Sequence, residues 1–226
     1  MFLQAATPAA ASVQQRSFSL WEILFHDNIF ANAVMVAIIL LGVLALYLFL
    51  ERLFFINRMA KTPEQNMLQN IEDLLNEGRV EAAADYCKRS SSPDARILEK
   101  GISRIGRPVS DIVSAMENQA QIEVSRLEKN LSLLSAVPSI APMLGLLGTV
   151  IGIIMAFFSM ANSEGTFSPQ TLSAGIYTAL GHTAMGLAVA IPANFFYNLL
   201  LTRIDKFALK VQNLTADFLD IINNPS

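Results

Sequence analysis

The chain has 226 residues, a length that fits one or two domains, yet 53% of them are apolar and only 15% are charged, against a usual charged share of about 25%. Mean hydropathy is +0.43 and net charge is −3, which argues against a soluble enzyme and against an extended phosphate-binding surface, and no nucleic-acid partner is expected. One cysteine (Cys87) and two histidines (His26 and His182) exclude an intrachain disulfide framework, thiolate-cluster metal sites and a three-histidine zinc centre.

Residues 1–28 lack a basic n-region, and the first long apolar run starts too late for a secretory signal. Ser19 and Glu22 fit a capping box. Trp21, Leu24 and Phe25 then share a face, which predicts a short amphipathic helix at the membrane surface; the alternative is an unstructured tail up to Asp27. Residues 29–50 carry no charge. A bilayer core of about 30 Å needs roughly 20 apolar helical residues, so this is the first predicted span.

Residues 51–130 read as a helical domain. Thr62-Pro63-Glu64-Gln65 is a helix start, and Met67, Leu68, Ile71, Leu74 and Leu75 keep helical spacing up to a stop at Gly78. A short helix over residues 80–87 ends at Ser91-Ser92-Pro93, which opens another with Ile97, Leu98, Ile102 and Ile105 in phase. Gly106-Arg107-Pro108 breaks the chain again. From Ser110 the stripe Ile112, Met116, Ile122, Leu127, Leu131, Leu134 runs without a stop signal, predicting one helix that continues into the second span. The acidic residues of this domain are expected on solvated faces, and Cys87 as a small buried hydrophobe rather than a nucleophile.

Residues 131–160 form the second predicted span, with a bend or local unwinding expected at Pro138 and Pro142. Residues 161–171 are a short loop, and residues 172–202 the third span, antiparallel to the second. Residues 203–226 continue that helix through Phe207, Val211, Leu214, Phe218 and Ile222. At 1.5 Å per residue the two continued helices reach roughly 70 Å each, and their apolar stripes predict a homo-oligomer with a helical stalk. Fifteen of the 16 Lys and Arg residues fall in residues 51–130 and 203–226. This bias places those segments in the cytoplasm, with the N-terminus and the 161–171 loop outside.

No HExxH, GxSxG or P-loop motif occurs, so neither an enzymatic activity nor a cofactor or metal is expected. The informative residues lie in the spans. Gly145, Gly148, Gly152, Gly175 and Gly186 fall on small-residue spacings that let helix backbones approach in lipid. Thr149 is a polar residue of span two; Thr178, His182 and Thr183 stand in span three. Thr178 and His182 share a face, while Thr183 sits about 140° around the helix from Thr178. An imidazole in hydrocarbon must face protein or a wet cavity, and it titrates near neutral pH. Between Lys129 and Arg203 the sole ionised side chain is Glu164, in the loop. Arg203, Lys206 and Lys210 sit just past span three, where lipid head-group contact and the ordinary positive-inside bias both account for them.

The stretches APMLGLLGTVIGIIMAF (residues 141–157), TAMGLAVAIPANFFYN (residues 183–198) and EKGISRIGRP (residues 99–108) resemble ExbB-type members of the MotA/TolQ/ExbB proton-channel superfamily, in their Bacteroidetes form. The resemblance covers nearly the whole chain. It implies an all-α integral membrane protein of the bacterial inner membrane that forms a homopentameric ring. The ring would enclose the helices of an ExbD-like partner, dock a TonB-like protein and use the proton motive force to energise outer-membrane transport. A TolQ-like role in envelope maintenance and a non-conducting scaffold are the alternatives. It also implies that Thr149 and Thr183 line the pore. Many relatives carry a glutamate where this chain has Thr178, so an acid from the partner is expected to complete the proton pathway, with Thr178 and His182 as further candidate members.

Overall fold

The computed structural model describes residues 29–60, 67–162 and 169–223. Seven helices account for them: α1 (Ile29–Ala60), α2 (Met67–Asn76), α3 (Val80–Arg89), α4 (Pro93–Ile102), α5 (Val109–Glu128), α6 (Leu131–Ala161) and α7 (Pro169–Asn223). There is no strand among the described residues. Three helices are long and apolar enough to cross a membrane, over Ile29–Met59, Leu131–Ala161 and Leu172–Asn223. The amphipathic segment expected around Ser19 and the helix start at Thr62 lie outside the described residues.

The three long helices pack as a bundle. Its core is small and aliphatic: Ala45 and Leu48 from α1, Leu134, Val137 and Ala141 from α6, Ala190, Ala193 and Leu200 from α7. Because lipid tails are as apolar as these side chains, close packing rather than water exclusion holds such a bundle together. Phe49 of α1 stacks on Phe196 of α7, ring centroids 4.1 Å apart.

Beyond the spans, α2 to α5 fold against the far half of α7. Met67, Ile71, Ala83, Cys87, Ile97, Leu98, Ile102, Ile112 and Met116 form a second core with Val211 and Phe218. The local punctuation works through backbone geometry. Gly78 and Gly106 adopt φ of 73° and 90°, where a side chain is unfavourable. Ser92 caps α4 by accepting a hydrogen bond from the Ala95 N–H at 3.2 Å, with Pro93 opening the helix.

Four sequence expectations change. The helix of residues 110–134 is interrupted: Asn130 adopts φ 63°, ψ 0°, so α5 ends at Glu128 and α6 begins at Leu131. Asparagine is among the few side chains that tolerate this left-handed conformation, and a helix cannot run through it. The prolines, by contrast, sit inside one continuous α6. The apolar stripes are also largely covered within the chain: Ile112, Met116, Leu127, Leu131, Leu134, Val211 and Phe218 are buried, whereas Ile122 is 47% exposed. Four short helices folding back on α7 bury what the sequence alone leaves bare. Finally, Glu123 and Asp94 are not on solvated faces but buried.

Candidate pore-lining site

Glycines set the geometry of the α6–α7 seam. An added Cβ at Gly145 would stand 2.8 Å from the His182 carbonyl oxygen, and at Gly186 2.6 Å from that of Ala141. At Gly152 and Gly175 it would meet the Cβ atoms of Ala179 and Ala156 at 2.8 and 2.7 Å. The helices therefore run backbone against backbone, antiparallel, with Gly145 beside Thr183. Gly42, not singled out in the sequence, makes room on α1 for the Val189 side chain of α7, which would stand 3.2 Å from an added Cβ.

This approach brings two hydroxyls together. Thr149 Oγ1 and Thr183 Oγ1 are 2.5 Å apart. Thr149 Oγ1 also lies 3.1 Å from the carbonyl oxygens of Gly145 and Ala179, and Thr183 Oγ1 3.2 Å from that of Gly145. Each hydroxyl can donate one hydrogen and accept others. The pair can therefore reverse the direction of its mutual hydrogen bond while a backbone carbonyl takes the displaced hydrogen. Both threonines are half-buried in the single chain, so one side of the pair faces outward.

Thr178 and His182 are placed elsewhere. Thr178 donates to the Ala174 carbonyl of its own helix at 2.9 Å. His182 is 2% exposed, with Nδ1 3.0 Å from the Thr178 carbonyl oxygen and Nε2 3.0 Å from that of Ala31 in α1. The structure thus joins Thr149 to Thr183 and turns His182 towards α1. No carboxylate, lysine or arginine stands on residues 29–50, 131–162 or 169–202. The described residues hold no cluster of His, Cys, Asp and Glu suited to a metal.

At the other end of the bundle, Arg203 hydrogen-bonds Asn57 and Lys210 pairs with Asp94. These residues and Lys206 line a cavity of about 280 Å³ floored by Ile56, Met59, Leu127 and Phe207. Sequence reading missed the buried charge nearby. Glu123 is fully buried and takes Arg96 Nε and Nη2 at 2.8 and 2.7 Å, Arg126 Nη1 at 3.0 Å and Gln119 Nε2 at 2.8 Å. Burial pushes its carboxyl up, but the hydrogen bonds and charges of Arg96, the Arg126 charge and Gln119 outweigh this and hold it below the usual 4.5. A signal was present: Glu123 is seven residues after Met116 and four before Leu127, on the buried stripe itself.

The profile of the MotA/TolQ/ExbB proton channel family matches residues 89–213. That stretch takes in more than half of the chain, and both threonines. The chain belongs to the MotA/TolQ/ExbB proton channel family. Its relatives include a putative biopolymer transport protein ExbB homolog of Methanothermobacter thermautotrophicus, 27% identical over 172 residues, 76% of this chain and 61% of the relative. A putative ExbB-like protein 3 of Synechocystis is 30% identical over 166 residues, 72% of this chain and 79% of the relative. The Tol-Pal system protein TolQ of Haemophilus influenzae is 33% identical over 115 residues, about half of each chain. This chain thus spans about three fifths of the Methanothermobacter relative and half of the Haemophilus one. ExbB-type and TolQ-type members both align with it.

Proposed function

We propose that this MotA/TolQ/ExbB family member is a proton-conducting motor subunit of the bacterial inner membrane that works with an ExbD-like partner. In this reading the proton motive force energises TonB-dependent outer-membrane transport, through a TonB-like protein. The observation that carries it is the Thr149–Thr183 hydroxyl pair, held 2.5 Å apart on a half-buried seam. With no carboxylate on residues 29–50, 131–162 or 169–202, the chain cannot itself carry a titrating acid beside the pair. The partner's helix supplies it, and the hydroxyls relay hydrogen bonds next to it. Five copies around the partner's helices turn the outward side of each pair to a common hydrated pore. Residues 51–130 and 203–226 lie in the cytoplasm and the N-terminus in the periplasm, as the distribution of Lys and Arg supports. The cavity between Asn57, Arg203, Lys206 and Lys210 takes a lipid head group, with Arg203 and Lys206 facing phosphate while Asp94 holds Lys210, and its apolar floor facing the acyl chains.

The test is proton uptake into vesicles holding the chain with its ExbD-like partner. Thr149→Val and Thr183→Val keep the shape but remove a hydroxyl. Each should lower flux about tenfold, the equivalent of one hydrogen bond to a charged species. Unchanged flux in both variants removes the pair from the pathway, and native mass measurement with and without the partner checks the ring of five. A TolQ-like role is the second reading, favoured by the alignment with the Haemophilus protein. Complementation of a strain lacking either system separates the two, and a scaffold would show no flux at all.

A further inference from the structure

His182 takes no part in the hydrogen bonds of the threonine pair. Its surroundings instead pose a question of protonation. Both ring nitrogens face backbone carbonyl oxygens at 3.0 Å, one on α7 itself and one across the bundle on α1. Carbonyl oxygens only accept. A neutral imidazole has one N–H, so one of its nitrogens must turn a lone pair to a carbonyl at hydrogen-bonding distance; the imidazolium donates to both. The ring cannot swing towards α6, because it rests on Gly148, where an added Cβ would stand 2.8 Å from His182 Cβ, Cγ and Cδ2. No carboxylate, lysine or arginine on residues 29–50, 131–162 or 169–202 competes for it; the other titratable groups there are the phenols of Tyr47, Tyr177 and Tyr197. Fourteen residues separate His182 from Phe196, about 21 Å along α7, so the ring sits well away from the end of the bundle that bears the basic residues. Its α1 partner, Ala31, is the third residue of that helix, next to Ile29 and Phe30 at 82% and 70% exposure.

We propose that His182 is a protonation-dependent clasp between the first and third spans. Acidity on the side of the membrane where α1 begins gives the ring its second N–H and ties the first turn of α1 to α7. When the proton leaves, the ring keeps one N–H for two carbonyls, and the tautomer that bonds Thr178 releases that turn. The clasp would let the subunit sense the acidity of one compartment, and it does not depend on whether protons cross at the threonine pair.

The test uses the full-length chain in lipid nanodiscs with His26→Gln, so that His182 is the one histidine. Nitrogen NMR of labelled histidine, taken between pH 8 and pH 5, should show the signal pattern of a neutral tautomer give way to that of imidazolium. Over the same range, the protection factor of the amides in the first two turns of α1, that is, exchange corrected for its intrinsic pH dependence, should rise about tenfold, the equivalent of exchanging a neutral hydrogen bond for a charged one. In His182→Gln, which has no titrating ring, the protection factor there should not follow pH. A ring that stays neutral down to pH 5 overturns the proposal without recourse to any variant at position 182. So does an α1 protection factor with the same pH dependence in His182→Gln.

Discussion

At the scale of single residues, what decides a role is which atoms each side chain meets. Thr149 and Thr178 are the same residue type in the same kind of helix. One meets a second hydroxyl across the seam, and the other bonds its own backbone. Glu123 is the counterpart outside the spans, a fully buried carboxylate made tolerable by two guanidinium groups and an amide. Replacing it by Ala takes the carboxylate away from Arg96 and Arg126 and is expected to cost about 2–3 kcal/mol, below the range for a fully buried pair because both arginines reach solvent. Glu123→Gln tests the charge alone. The Glu123 carboxyl lies below its usual value in the folded chain, so its stabilisation is fully present above the unfolded value near 4.5 and is lost as pH falls through the lowered one. Thermal melts between about pH 3 and pH 6 should therefore show a steeper acid loss in the wild type than in Glu123→Gln.

At the scale of elements, the seam and the breaks are the sensitive features. Gly145 faces backbone rather than a movable side chain. Gly145→Ala should force α6 and α7 apart, cost about 1–3 kcal/mol and separate the threonines, read as lost flux together with a lower melting temperature. At Gly148 the obstacle is the His182 ring, so Gly148→Ala should disturb the α1 contact as well. The turn at Asn130 gives a test with two signs. Asn130→Gly should be neutral or mildly stabilising, because φ of 63° suits glycine. Asn130→Val should cost about 1–2 kcal/mol and shift the angle between α5 and α6, measurable by thermal unfolding and by spin-label distances across the turn.

At the scale of the whole molecule, α7 is the shared element: 55 residues in one helix, about 82 Å long, with its first part in the membrane bundle and its last part in the second core. Motion at one end can reach the other without crossing a loop. Phe218, fully buried near its end, packs at Gly101 of α4, where an added Cβ would stand 2.7 Å from the ring. Phe218→Ala should cost about 3–5 kcal/mol. It should raise exchange in α2 to α5 while leaving the spans protected, because the two cores are separate clusters joined through α7.

The three spans, the helix stops at Gly78 and Gly106, the cap at Ser92 and the two threonines of interest were all legible in the residues. Apolar length, glycine conformation and capping chemistry act locally, and a linear reading captures them. Other features need two segments that lie far apart in the chain. Whether Glu123 meets solvent depends on where Arg96 arrives. Whether His182 turns to the threonines or to α1 depends on the rotation of α7 against Gly148. How much of a stripe stays bare depends on how α2 to α5 fold back. The residue pattern determined what must be buried and what may bend; only the packing of helix on helix decided which polar groups meet, because a hydrogen bond exists only once both of its partners have been placed.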